Sequence, residues 1–320
     1  MRYGRGVRPH LIVNPVSAAG RTGRHFDDIA RSVRQAVGDF EFSFTRARGD
    51  GAVLARRAAG SGAGLVVAVG GDGTASEVVD GLLSPPSGSA AARPAFGLIP
   101  RGSGGDLRRS LGIPRDLNSA AALLSQRTRR SLDVGRIEFT GPDGKPRVRH
   151  FANVAGFGVS GRVVEKAERL GKALGGRLTF SLAAATALVG WRDQPVRWRA
   201  DGGPWQEERL TALAVCNGRY FGGGMTVAPQ ARFDDGLFDV TVWKGLGLSD
   251  FILKRGMLYD GTHVRLSNTR TLKASILEAE PVGDARILLD VDGEQLGMLP
   301  ARFVVLPGAL QVQAPPQDAP

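Results

Sequence analysis

From residue 9 to about residue 130 the chain alternates short apolar runs with amphipathic stretches. The runs at 10–13, 40–44, 65–69 and 96–99 predict buried strands, and 23–37, 50–59, 74–83 and 119–126 predict the helices between them. Strands alternating with helices in this way make a parallel sheet flanked by helices, with ligands at the carboxyl ends of the strands. Three of those ends carry Gly-, Asn- or Asp-rich turns: Asn14-Pro15, Gly70 to Thr74, and Pro100 to Asp106. They are expected to converge on one crevice.

After about Leu132 the texture changes. Strand-like runs at 133–139, 147–155, 210–215, 237–242, 271–277 and 286–291 are joined by turns such as Gly141-Pro142-Asp143-Gly144. Helical stretches are fewer, chiefly 161–170, 177–189 and 249–257. This predicts a β-rich, mainly antiparallel second domain. The expected division is 1–131 and 132–307, with 308–320 returning to the first domain and fraying beyond Val312. Pro85-Pro86-Ser87-Gly88-Ser89 is expected as a surface loop.

Composition narrows the class. With 320 residues and 42% hydrophobic content, the chain can bury two ordinary cores. Its longest apolar stretch, near 178–191, is interrupted by Ser181 and Thr186 and falls short of the roughly 20 residues of a membrane span. Arg2, Arg5 and Arg8 lead straight into the first strand, so no secretory signal is expected. One cysteine, Cys216, rules out an internal disulfide framework and fits a reducing cytoplasm; its apolar run marks a buried thiol. The net charge of +11 points to anionic partners. No aromatic RNA-binding signature or helix-turn-helix pattern accompanies it, so an anionic membrane surface is expected and nucleic acid is not.

The candidate chemistry starts at Gly70-Gly71-Asp72-Gly73-Thr74, directly after the run 65–69. Glycines at a helix N-terminus let backbone N–H groups approach a bulky anion, which the helix dipole also favours. A carboxylate inside such a cradle is electrostatically wrong unless a cation or ordered water intervenes, so Asp72 argues for a Mg²⁺-bound nucleoside triphosphate. The competing reading is a plain glycine turn. Asp234-Asp235-Gly236-Leu237 sets two like charges side by side, a cost that a hard cation relieves; a solvated acidic turn is the alternative. Asp292-Gly293-Glu294 follows the last predicted strand, where Asp-Gly is most commonly a hairpin turn.

Taken in order, these segments resemble the diacylglycerol kinase catalytic family, which includes bacterial lipid kinases and the sphingosine and ceramide kinases. The matching residues are Asn14-Pro15-x-Ser17, Gly70 to Thr74, Ile99 to Leu107, Asn217-Gly218, Gly222 to Gly224, Ala228-Pro229-x-Ala231, Asp234 to Val240 and Asp292 to Glu294. The resemblance implies two domains with the nucleotide in the interdomain cleft. It makes ATP and Mg²⁺ the cofactors and a lipid such as diacylglycerol or a sphingoid base the acceptor. Asp292 becomes the general base, with Asp72 the second catalytic carboxylate. Asn14, Thr45, Gly70, Gly71, Gly73, Thr74, Gly102 and Ser103 become the nucleotide contacts, and Glu294 a nucleotide- or metal-side carboxylate. Asp234, Asp235 and the Leu237 backbone would hold a structural Mg²⁺. Gly105 departs from the pattern, since the family usually carries Asn there.

Phe157, Tyr220, Phe221 and the helix at 178–188 are candidates for an acyl-chain channel, and the 177–191 helix with the Trp191 to Trp198 region is alternatively a candidate for membrane contact. The expected location is cytoplasmic, at the inner face of the membrane, and a homodimer is left open. NAD kinases and phosphofructokinases share Gly-Gly-Asp-Gly but do not account for the later segments. A nicotinamide oxidoreductase would want Gly-x-Gly-x-x-Gly where Asn14-Pro15 stands. The non-enzyme alternative is an inactive nucleotide-sensing or membrane-binding regulator on the same fold.

Overall fold

The computed structural model describes residues 8–84, 93–126, 129–170 and 176–316; the loop expected at 85–89 lies outside them. The chain divides into two compact units, 1–132 with 308–320, and 133–307.

In the first unit His10–Val13, Glu41–Phe44, Leu65–Gly70 and Ala95–Pro100 form a parallel sheet in the spatial order second, first, third, fourth. The chain's last strand, Met298–Val312, adds its end beside Ala95–Pro100, with Val312 paired in parallel to Phe96. Leu65–Gly70 is buried along its whole length, as a central parallel strand covered on both faces must be. The helix expected at 23–37 is two pieces, Arg21–Arg24 and Phe26–Val37, and the second glycine loop runs into an unforeseen short helix, Asp106–Leu111.

Asp72–Leu83 is the most buried of the long helices in this unit. Its Glu77 is an uncommon buried carboxylate with a clear purpose. The amides of Gly49 and Gly51 donate to its two oxygens at 2.8 and 2.9 Å, satisfying N–H groups that the start of helix Asp50–Gly60 would leave without partners. Gly51 and Gly81 let these two helices approach closely: a methyl on Gly81 would lie 2.2 Å from the Ala52 carbonyl oxygen.

The second unit is a sandwich of two antiparallel sheets. One has the order Thr269–Ala274, Phe238–Trp243, Ala212–Cys216, Val154–Gly158, Leu289–Val291. The other has the order Gln206–Leu210, Gln194–Ala200, Ile276–Pro281, Met298–Val312, Arg130–Thr140, Pro146–Phe151. Phe151, Phe157, Trp198, Phe238 and Phe303 fill the space between them, and Cys216 is buried as expected.

Two expected strands are each broken in two, and each break has a carboxylate behind it. The run 147–155 bends at Ala152-Asn153, where Asp292 takes the backbone amides. The run 271–277 turns a corner at Ser275, whose amide and hydroxyl bind Asp201 Oδ1 at 2.9 and 2.8 Å. The strand Gln194–Ala200 corrects the membrane reading of Trp198. That indole is 1% exposed, and its N–H donates to Glu208 at 2.8 Å. Among the described residues no helix is long and apolar enough to cross a membrane.

Candidate active site

The spatial order of the first sheet reverses direction between its first and third strands in sequence, and ligands of open parallel sheets bind outside the carboxyl ends at such a switch point. Asn14 and the loop Gly70–Thr74 stand at those two ends. The side-chain amide of Asn14 donates to Thr74 Oγ1 at 3.1 Å, tying them together. The Asp72–Leu83 helix begins here, with Gly71 as its cap, so the first amides of the helix open toward the same point. Thr45 extends the neighbouring strand by one residue, its amide donating to Val13 O at 2.9 Å. Gly102 crosses directly over Gly71: a Cβ on Gly102 would sit 2.5 Å from the Gly71 Cα. Only glycine permits that approach. Ser103 is exposed beside it. The first unit therefore gathers Asn14, Thr45, Gly70, Gly71, Gly73, Thr74, Gly102 and Ser103 around one sheet edge.

Asp72 has a more structural task than a metal-facing carboxylate. The amides of Gly105 and Leu107 donate to its two oxygens at 2.7 and 3.1 Å, so Asp72 fastens the second glycine loop to the first. Gly105 has φ +71°, in the left-handed region that Gly and Asn tolerate and other side chains resist. This explains how Gly stands where the family usually has Asn: the backbone shape is kept. Arg109 braces the loop by donating to Gly104 O at 2.7 Å and to Asp106 at 2.9 Å. Burial, with Arg109 and Arg115 close by, pushes the Arg108 guanidinium below its ordinary range.

Asp72→Asn turns one acceptor into a donor facing an N–H group. It is expected to cost about 1–3 kcal/mol of stability and to loosen nucleotide binding through the displaced loop. Thermal melts of the nucleotide-free variant check this; an unchanged midpoint would rule out the fastening role.

In the second unit Val291-Asp292-Gly293-Glu294 is a tight hairpin. Val291 and Glu294 exchange backbone hydrogen bonds at 2.9 and 3.0 Å, and φ is positive at both central residues, +49° and +82°. The turn reading is thus correct, and the carboxylate has a further part. Amides of Ala152, Asn153 and Val154 donate to Asp292 at 3.0, 3.0 and 3.1 Å. Glu294 lies 3.7 Å from Arg149.

This unit also contains a cavity of about 1030 Å³, counting the solvent at its mouth, with walls that are chiefly apolar. Phe180, Ala184 and Leu188 of the Gly176–Leu188 helix line it together with Phe221, Trp243 and Phe251. Of the channel candidates, Phe221 and this helix are therefore well placed. Phe157 is not: strand alternation turns it into the sandwich core while Gly156 takes the cavity side. Tyr220 is not among the lining residues either.

Sequence reasoning missed Asp290, a buried carboxyl on the cavity wall inside an apparently apolar strand. Gly293 N–H donates to it at 2.9 Å. Burial, then the charges of Asp292, Glu168 and Glu294, push it up to about 8. The signal was one polar residue interrupting Ile287-Leu288-Leu289 and Val291.

The acidic turn proves to be neutralised internally. Lys273 binds Asp235 at 2.7 Å and stands 3.5 Å from Asp239, while Asp234 pairs with Arg232 at 3.2 Å and the Leu237 amide donates to Asp235 at 3.2 Å. Among the described residues no three His, Cys, Asp or Glu side chains gather as a metal cluster. As arranged, Lys273 and Arg232 hold the charges of the two carboxylates. The hydrogen bond to Asp235 raises the pKa of Lys273. Asp235→Asn is expected to cost about 1 kcal/mol at any Mg²⁺ concentration. Melts with and without Mg²⁺ check it, and a loss confined to Mg²⁺-containing buffer would restore the cation reading.

A parallel unit with two crossing glycine loops at its switch point, and an antiparallel sandwich bearing an acidic hairpin over an apolar cavity, define a two-domain kinase-type fold. A family model described as the diacylglycerol kinase catalytic domain matches residues 8–137, and one described as the YegS C-terminal NAD kinase beta sandwich-like domain matches 153–314. The chain belongs to this diacylglycerol kinase and YegS-like family. It is 30% identical over 313 residues to the Diacylglycerol kinase of Bacillus subtilis (strain 168), covering 98% of each chain. It is 32% identical to a Stenotrophomonas maltophilia (strain K279a) protein named Probable lipid kinase YegS-like, over 71% of each. A crystal structure of a diacylglycerol kinase from Bacillus anthracis str. Sterne superposes with a TM-score of 0.71 at 25% identity, covering 98% of this chain and 99% of that one.

Proposed function

We propose that the protein is an ATP-dependent lipid kinase that moves the γ-phosphoryl group of Mg·ATP onto the hydroxyl of a lipid alcohol such as a diacylglycerol or a sphingoid base. The observation that carries this reading is the apolar cavity whose wall includes Asp290, on the same hairpin as Asp292. A kinase for polar acceptors has no use for that lining. The helix N-terminus at Gly71–Thr74 holds phosphates through backbone amides, and the arginines of the second glycine loop add positive charge. Asp292, fixed by three amides, orients the acceptor hydroxyl and takes its proton as the bond to phosphorus forms. Labelled ATP with a panel of lipids in mixed micelles tests the reading. Phosphorylation of a lipid supports it, whereas nucleotide binding with no lipid product would favour the regulator alternative.

The protein acts as a peripheral enzyme on an anionic cytoplasmic membrane face in this proposal. Ile252 and Leu253 are 63% and 82% exposed, in a helix whose Phe251 lines the cavity, and Leu182 of the Gly176–Leu188 helix and Val189 just after it add exposed apolar surface. Arg255, which opens the next helix, Arg255–Asp260, donates to Ser181 of the Gly176–Leu188 helix at 3.3 Å. In this proposal the contact keeps the 177–191 stretch and gains Ile252 and Leu253, while the buried Trp198 drops out. The double variant Ile252→Asp, Leu253→Asp is expected to lower sedimentation with anionic vesicles about tenfold or more, from lost apolar burial plus charge repulsion. Unchanged sedimentation would exclude the patch.

A further inference from the structure

The cavity floor is one face of the five-stranded sheet, and it is open because its residues are small: Gly156, Ala212 and Ala214. Asp290 closes one edge of that floor, paired in register with Gly156. It is 4% exposed, with a hydrogen bond from Gly293 to one oxygen. Ser160, in the first turn of helix Val159–Leu170, lines the same cavity, and its buried Oγ has no hydrogen-bond partner among the described residues. The helix packs against the Leu289–Val291 strand, the strand that carries Asp290, in a space whose walls are chiefly apolar and whose other polar lining residues are Thr211, Asp250, Lys254, His263 and Thr269. That strand leads into the Asp292 hairpin.

A polar group buried without a partner costs free energy, so the unpartnered Ser160 hydroxyl, in the same ligand cavity as a buried carboxyl, marks where a ligand supplies the missing atom. Burial and the neighbouring carboxylates push Asp290 up to about 8, which favours the protonated form that donates. Ser160 supplies a second O–H. Two neutral donors complement the lone pairs of one carbonyl oxygen. A dialkyl ether has no oxygen at the carbonyl position and forgoes both bonds, and an amino alcohol brings an ammonium donor in place of the carbonyl acceptor.

We propose that Asp290 and Ser160 are specificity-determining residues that hold an ester carbonyl beside the reacting hydroxyl, selecting acylglycerol-type alcohols over dialkyl ethers and amino alcohols. The inference rests on the lipid-kinase reading and is tested with the full chain. The substrates are 1,2-dioctanoylglycerol, its dialkyl ether analogue and sphingosine in mixed micelles. Asp290→Asn keeps an acceptor for Gly293 and an N–H donor toward the cavity, so its ester-over-ether preference is expected to stay within about threefold of the parent. Asp290→Ala and Ser160→Ala are each expected to raise KM for the ester lipid about tenfold, the size of one hydrogen bond, with little change for the ether.

Tryptophan-fluorescence titration with dioctanoylglycerol should show the same loss of binding without any transfer step. An ester-over-ether ratio unchanged in folded Asp290→Ala overturns the inference and leaves the kinase reading in place. So does a preference for sphingosine that Asp290→Asn abolishes. Lipid binding that discriminates among the variants without phosphate transfer supports the inference and defeats the kinase reading. No binding of any of the three lipids defeats both.

Discussion

Asp292→Asn is expected to lower lipid phosphorylation by ~10²–10⁴-fold, the usual contribution of a positioned general base, while ATP affinity changes little. Asn fits the left-handed turn at φ +49° about as well as Asp, so the hairpin survives the change. What is lost is the charge and one acceptor. Of the three amides that bind the carboxylate, those of Asn153 and Val154 reach Oδ1 and that of Ala152 reaches Oδ2. The amide side chain can serve the first pair through its oxygen but sets an N–H against the other. Some stability is lost as a result, about 1–3 kcal/mol. The decisive measurement is therefore single-turnover transfer at saturating nucleotide, alongside a thermal melt. Near-parental turnover in a folded variant would remove Asp292 from the chemistry and leave it as the bracket that bends the chain at Ala152-Asn153.

The parts of this protein that were legible in the sequence are those fixed by local pattern. A short apolar run followed by Gly70-Gly71-Asp72-Gly73-Thr74 announces a strand, a turn and a helix, and all three are there. Asp292-Gly293 announces a hairpin, and the backbone obliges. The illegible parts depend on residues far apart in sequence. Nothing near Asp235 says that Lys273, 38 positions away, will neutralise it. Nothing near Asp72 says that the amides of Gly105 and Leu107 will claim both of its oxygens.

Register was the other obstacle. Phe157 and Gly156 are neighbours, yet only one faces the cavity, and an aromatic residue was the more inviting choice. The strand around Trp198 did carry a period-two signal, with Val196 and Trp198 buried while Arg197 and Arg199 reach outward to Glu280 and Glu278. An indole beside arginines instead suggested a membrane interface. Ile252 and Leu253 were hidden for the opposite reason, because apolar residues in a short helix ordinarily mean core.

Asp290→Asn is expected to stabilise the protein, and to do so more strongly as pH rises from about 4 to about 8. The folded carboxyl is pushed up to about 8 against an ordinary value of 3.8. Between those values the unfolded chain has released this proton and the folded chain still holds it. Each pH unit in that window therefore lowers the parent's stability by about 1.4 kcal/mol through this one group. Summed to pH 7.5, the cost is on the order of 5 kcal/mol, an upper figure for a site with neighbouring carboxylates. Asn has no proton to release, so the variant escapes the penalty while keeping the bond from Gly293. Near pH 4 the two proteins should differ little, and above pH 8 the difference should level off. Urea denaturation of both proteins at pH 5, 6, 7 and 8 measures the divergence directly. Parallel stability curves across that range would mean that Asp290 is ionised in the folded state, and it would then be an acceptor rather than a donor on the cavity wall.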